Sequence, residues 1–231
     1  MNDTQKFVGV GIYSPAEAER LIGVPRGKLA RWLRGHVVGG RRYDRLWAPQ
    51  IDLGDGRVYL GFHDLMEARV ADAFIGQGLS AHKVRRAIDL AREMIGAERP
   101  LSTQRFRTDG RSVFLQIARE DGDDRLIDLF KGQYEFKEIV DPSLTNIEFD
   151  PDGLPKRWWP NGRSAGIVVD PARSFGQPVD ATTAVPAAAL AAAARSEGSV
   201  EAAARLWEVP VGSVRRAVNF MTAFDEHRLA A

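Results

Sequence analysis

Apolar residues return at helical intervals twice near the start of the chain. Ala18, Leu21 and Ile22 form one stripe, and Leu29, Trp32 and Leu33 form another, with polar residues between them. Ser14-Pro15-Ala16-Glu17 places an N-cap serine, a proline at the first helical position and a glutamate at the capping-box position, so a helix starts there. Gly23 closes it and Pro25 opens the next. The pattern predicts a helix-turn-helix whose second helix carries Arg26, Lys28 and Arg31 on its outer face. From His36 to Tyr59 glycine and aromatic residues alternate with arginine, and Asp55-Gly56 signals a hairpin, which predicts a wing. Helical spacing resumes in Phe62 to Phe74 (Leu65, Met66, Val70, Phe74) and in Ser80 to Ile95 (Val84, Ile88, Leu90, Ala91, Ile95), separated by Gly76 and Gly78.

Leu101 to Trp159 reads as short strands. Gln104 to Arg107 and Ser112 to Ala118 flank the turn signal Asp109-Gly110, predicting a hairpin. Pro151-Asp152-Gly153 separates Asn146 to Phe149 from Pro155 to Trp159, and Tyr134 to Leu144 fits helix or strand. After Pro160-Asn161-Gly162 come a strand at Ile167 to Val169, a turn at Asp170-Pro171 and an extended piece at Gly176 to Val179. Three helices follow, over Val185 to Arg195, Val200 to Val209, and Pro210 or Val211 to Phe224, with Ser199 and Pro210 as start signals. In the last, Val214, Val218 and Met221 face inward, leaving Ser213, Arg215, Arg216 and Asn219 exposed on a second helix-turn-helix-like unit. The expected fold class is α+β, mainly helical, in three parts. These are a winged helix-turn-helix over 1–98, a β-rich region for packing or dimerisation over 99–160, and a three-helix unit over 161–231.

Composition changes this picture little. The chain has 231 residues, 44% hydrophobic and 27% charged, as in ordinary globular proteins. Without cysteine there is no disulfide framework, thiol chemistry or cysteine-ligated metal, which fits a reducing compartment. Met1 to Lys6 is polar with no apolar stretch behind it, so no export is expected. The apolar run Ala184 to Ala194 falls short of the about 20 residues that cross a bilayer. A cytoplasmic protein without membrane contact is expected.

Charge distribution changes it more. The net charge is only +1, yet Arg26, Lys28, Arg31, Arg34, Arg41, Arg42 and Arg45 stand within one segment that holds the single acid Asp44. Acids gather instead at Glu120-Asp121-Gly122-Asp123-Asp124. Such asymmetry suits one anionic partner surface, and duplex DNA matches a basic helix-turn-helix. Those seven residues, with Ser213, Arg215, Arg216 and Asn219, are the candidate DNA contacts.

Candidates for catalysis are few. Gly9-Val10-Gly11 lacks the third glycine of a dinucleotide fingerprint. His63, Asp64 and Glu67 share a helix and have ligand chemistry, but His36, His82 and His227 are scattered and no His-Glu-x-x-His occurs, so His63 reads as structural. The acidic loop lacks calcium-ligand spacing and reads as solvated. Trp158-Trp159 beside Lys156 and Arg157 suits base stacking or, more simply, packing. Neither an enzyme, a cofactor nor a metal is expected.

Two resemblances sharpen the reading. Ile12 to Ala18, Gly23-Val24, Leu29 to Trp32, Val58-Tyr59, Asp64-Leu65 and Gly78 to Ser80 together resemble the winged helix-turn-helix of MerR-type regulators, over about the first 95 residues. The stretch before Tyr59 is longer than usual there, and the effector cysteines are missing. Val168 to Pro171, Phe175 to Pro178, Thr183, Val185-Pro186, Gly198 to Glu201 and Val214 to Phe220 resemble a small family of antitoxins encoded beside toxins with a PIN-like nuclease fold. The two together look like VapB-type antitoxins. The resemblance implies a dimeric repressor of its own operon that neutralises a PIN-like toxin. The apolar pieces around Val169, Phe175 and Val179 are the expected toxin contacts. A MerR-like small-molecule regulator without a toxin is the alternative, for which an aromatic, ligand-sized pocket in the middle region would speak.

Overall fold

The computed structural model describes residues 8–229, with side chains described through 224. Helices α1 (Pro15–Ile22) and α2 (Arg26–Arg34) come first, followed by a hairpin of β1 (His36–Val38) and β2 (Arg41–Tyr43). The capping box at Ser14 and Glu17 is formed, and Gly23 ends α1 in the left-handed conformation. Gly35 breaks α2 at φ 77, where a Cβ would approach the Tyr43 carbonyl oxygen to 2.7 Å; only glycine lets the chain turn straight into the hairpin. The hairpin turns at Gly39-Gly40, whereas Asp55-Gly56 lies in the loop leading to the Ile51–Tyr59 bridge.

Helices α3 (Phe62–Gly76) and α4 (Ala81–Ile95) follow as the periodicity predicted. The middle region departs from expectation. Gln104 to Ala118 forms no hairpin; it lies within the single helix α5 (Gln104–Asp121), followed by α6 (Asp124–Leu129) and α7 (Gln133–Leu144). The reason is tertiary. Phe106, Gly110, Val113, Phe114 and Ile117 make one buried helical stripe, capped by the Thr103 side chain. A Cβ at Gly110 would meet the Phe106 and Phe136 rings at 2.7 and 2.8 Å, so this glycine opens space for aromatic packing where the local signal reads a turn. Phe74, Phe106, Phe114, Phe130 and Phe136 are fully buried, with ring centroids 4.5–6.4 Å apart. Burying five such rings outweighs the turn preference of one Asp-Gly pair. The acidic loop is solvent-exposed at Glu120, Asp121 and Asp124, as expected, and is also tied down: Arg86 pairs with Glu120 and Asp121, Lys83 with Asp123, and Asp123 caps α6.

A four-stranded antiparallel sheet has the order β3 (Ile147–Phe149), β4 (Pro155–Trp158), β5 (Ile167–Val169) and β6 (Pro178–Asp180). Helices α8 (Ala187–Ser196), α9 (Val200–Leu206) and α10 (Val211–Leu229) complete the chain. Trp158 pairs with Val169, so the boundary drawn at 160 falls inside a hydrogen-bonded sheet. The sheet lies between two apolar clusters. Trp158 and Val169 belong to the larger one, with the first seven helices, and Ile167 joins Leu190, Ala203, Val214 and Phe220 in the smaller. No helix among the described residues is long and apolar enough to cross a membrane.

Candidate nucleic-acid interface

The predicted basic residues separate on folding. Leu29, Trp32 and Leu33 anchor α2 in the core, which turns Arg26, Arg31 and Arg34 to solvent. Lys28 is only half exposed; its ammonium pairs with Asp72 at 2.6 Å and lies 5.1 Å from the Trp32 ring centre, so its charge is already matched. Arg34 donates to the Gly56 carbonyl at 2.5 Å, tying the long loop to the end of α2. Arg41 and Arg42 stand on β2 opposite Val38 and Val37, and all four side chains are exposed. Arg45 is exposed too, while its backbone carbonyl accepts from Arg85 Nε at 2.8 Å, which fixes the hairpin base to α4. His36 and Tyr43 stack at 5.0 Å with planes 10° apart and stiffen that base. Between helix end and hairpin lies an open concavity of about 650 Å³, lined by Arg34, Arg42 and Arg45 among others. Arg31 and Arg41 make no ion pair among the described residues. Arg34, Arg42 and Arg45 thus bring guanidinium groups from the helix end and the adjoining hairpin around one concavity, an arrangement that can take phosphate.

The carboxy-terminal candidates divide more sharply. Ser213 is buried, and Arg216 is occupied: its Nε and one Nη lie 2.9 and 2.7 Å from Oδ2 of the buried Asp180, with further bonds to Thr182 and Ser213 at 3.1 Å. Burial pushes the Asp180 carboxyl up, but Arg216, Ser213 and Thr183 together hold it below its ordinary value. The exposed polar face expected for both residues is therefore corrected: they hold the β6 end against α10. Arg215 and Asn219 are exposed, Arg215 standing 3.6 Å from Glu201. Val169 and Val179 are fully buried and cannot meet a partner, because the sheet is covered on both sides. Phe175 is exposed.

Asp64, Glu67 and His63 of α3 hold the frame. Asp64 accepts from Trp47 Nε1, the amides of Gln50 and Gly61, and Arg99 Nε at 2.7–3.0 Å. Glu67 accepts from the amides of Leu101 and Ser102, and burial pushes its carboxyl up to about 7. Burial holds the His63 imidazole below its ordinary value, and the ring meets the Pro155 carbonyl at 3.0 Å. Among the described residues no cluster of histidine and carboxylate side chains is placed to hold a metal ion.

No protein-family model matches the chain. A curated protein of Mycobacterium tuberculosis named "Putative antitoxin VapB45" is 30% identical, over 93% of this chain and 95% of its own length. The chain belongs to that VapB-type antitoxin family. It also resembles the crystal structure of Rv2018 from Mycobacterium tuberculosis with a TM-score of 0.66 at 26% identity, covering 91% of this chain and 99% of the other. The contact from Tyr13 near the start of the chain to Gly176, and the one from Asp180 of β6 to Arg216 of α10, were invisible to sequence reasoning. The only trace of the first is that Tyr13 and Gly176 each stand in one of the two quoted motifs.

Proposed function

We propose that the chain is the antitoxin of a toxin–antitoxin pair. On this reading it binds its operator as a homodimer, represses its own operon and neutralises a PIN-like nuclease. The observation that carries the DNA reading is the exposed cationic surface of Arg26, Arg31, Arg34, Arg41, Arg42 and Arg45, spread over α2 and the β1–β2 hairpin. Helix α2 then takes the place of a recognition helix in the major groove, the hairpin serves as a wing on the adjoining backbone, and the cations displace counterions from phosphates. A homodimer presents two such surfaces to an inverted repeat. The alternative of a small-molecule regulator asks for a ligand-sized aromatic pocket in the middle region, where Phe106, Phe114, Phe130 and Phe136 instead pack on one another and on Phe74 of α3.

The toxin half of the proposal is tested by mixing the purified chain with the PIN-like nuclease encoded beside it. Stoichiometric loss of ribonuclease activity and co-elution are expected. Undiminished activity with separate elution would overturn this half.

A further inference from the structure

Phosphate contact alone leaves two side chains of the hairpin unexplained. Val37 and Val38, on β1, are 67% and 61% exposed. The register pairs Val37 with Arg42 and Val38 with Arg41. Successive strand residues point to opposite faces, so each face of the ribbon carries one valine beside one arginine. On one face Val37 and Arg42 line the concavity shared with Arg34 and Arg45. On the other, Val38 and Arg41 lie next to the Tyr43–His36 stack, with the Arg41 guanidinium 5.4 Å from the Tyr43 ring centre. The turn is Gly39-Gly40, at φ 56 and 78, and a Cβ on either would meet nothing within 4 Å. The tip therefore stands clear of the rest of the chain and is only a backbone thick.

A ribbon laid along one DNA strand meets a surface on one face only, and its second valine stays in water. A ribbon whose tip enters a groove meets a wall on each face, and those walls are sugar carbons edged by phosphates, which suit a valine beside an arginine. The concavity indicates which groove. With α2 in the major groove, as proposed, the space of about 650 Å³ between the helix end and the hairpin is where the strand bounding that groove passes. The hairpin then stands on the far side of that strand, at the adjoining minor groove, with a reach of about 10 Å from its three-residue strands. Charge agrees. Arg34, Arg41, Arg42 and Arg45, with Arg85 of α4 at the base, stand against Asp44, which lies 3.5 Å from Arg42. The neighbouring loop adds Asp52 and Asp55 against Arg57, and the balance stays positive with that loop counted. Arg34, Arg41 and Arg45 make no ion pair among the described residues. Runs of A·T pairs narrow the minor groove and deepen its negative potential, whereas a G·C pair puts the guanine amino group on the floor that the glycine tip approaches.

We infer that the β1–β2 hairpin enters the minor groove beside the α2 site with its Gly39-Gly40 tip, and so makes the chain select A·T-rich flanks in its operator. This rests on the proposed DNA binding by α2 and adds the groove and the class of sequence that the hairpin recognises.

The test uses the full-length chain and its own promoter DNA. Protection of guanine N7 locates the major-groove contacts, and the base pairs flanking them are made A·T, G·C or inosine·cytosine. Inosine lacks the guanine amino group, so its pair with cytosine resembles G·C in the major groove and A·T in the minor groove. G·C flanks should weaken binding about 10-fold, and inosine·cytosine flanks should restore it to within about 3-fold of A·T. Arg41→Ala with Arg42→Ala should reduce that preference to less than about 3-fold. Val37→Ser with Val38→Ser should weaken binding to A·T flanks about 10-fold, with the salt slope and unfolding transition of the wild type, since no phosphate contact is lost. Equal affinity for all three flanks would overturn the inference and leave DNA binding by α2 standing. Inosine·cytosine flanks that bind as weakly as G·C would also overturn it, by placing the recognition in the major groove. So would a flank preference that survives in the arginine variant, or undiminished affinity in the valine variant. A wild-type chain with no affinity for its promoter would overturn the proposed DNA binding, and this groove assignment with it.

Discussion

The hydroxyl of Tyr13 donates to the carbonyl of Gly176 at 2.8 Å, across 163 positions of sequence. Burial, with the carboxylates of Asp170 and Glu17 nearby, pushes the phenol well above its ordinary range, so it remains a donor. The Arg20 guanidinium lies 5.4 Å from the Phe224 ring centre in the same seam between α1 and α10. The first helix pair and the carboxy-terminal helices are therefore parts of one packed structure. Tyr13→Phe leaves a buried carbonyl without its donor and should cost about 1–3 kcal/mol. Gly176→Ala, which meets both the hydroxyl and a positive φ, should cost more. Denaturant titration of both variants measures this, and transitions coincident with the wild type would show that the seam contributes no stability.

Arg216 and Arg215 are neighbours with opposite roles. Arg216→Ala strands the buried Asp180 carboxylate and should destabilise the fold by about 3–5 kcal/mol. Arg215→Ala exposes nothing buried and should stay within about 0.5 kcal/mol of the wild type. Thermal unfolding of the pair separates the roles; equal midpoints would contradict the assignment.

The Glu67 carboxyl, raised from 4.5 to about 7 by burial, makes stability depend on pH in a defined direction. Between these values the folded chain holds a proton that the unfolded chain has lost. The contribution is thus complete below pH 4.5 and declines as pH rises through about 7. Glu67→Gln keeps one of the two oxygens that accept from the Leu101 and Ser102 amides and cannot ionise, so its absolute stability falls while its dependence on pH flattens. Denaturation at intervals from pH 5 to 8 should show a flatter loss of stability in the variant, and parallel curves would contradict this.

Elements whose signals are local were legible in the sequence. The caps at Ser14, Ser80 and Ser199 bond to amides three residues ahead, so each helix start announces itself. What failed was whatever depended on distant partners. Asp109-Gly110 reads as a turn unless Phe136 is known to fill the space beside the glycine. The helical position of Arg216 reads as exposed unless Asp180 is known to lie beneath it, and Lys28 reads as a free cation unless Asp72 is brought to it. The run Ile167 to Val169 is uniformly apolar because both sides of the sheet are covered, a pattern as compatible with a docking strand as with a core strand. The solvent exposure of the α2 arginines was legible because an inward face of Leu29, Trp32 and Leu33 dictates the outward one.

The central claim, that α2 and the hairpin form a phosphate-binding surface, is tested most directly by titrating the chain's own promoter DNA at several salt concentrations. The comparison is between the wild type and a variant with Arg26, Arg31, Arg41 and Arg42 replaced by alanine. These four side chains are exposed, so the variant should fold normally. Each phosphate contact contributes about 0.9 to the slope of log affinity against log salt, and the variant's slope should therefore be shallower by about 3–4. Its affinity at about 0.1 M salt should be at least 10-fold weaker. A variant whose affinity and salt slope equal those of the wild type would show that DNA is held elsewhere, and would contradict the account.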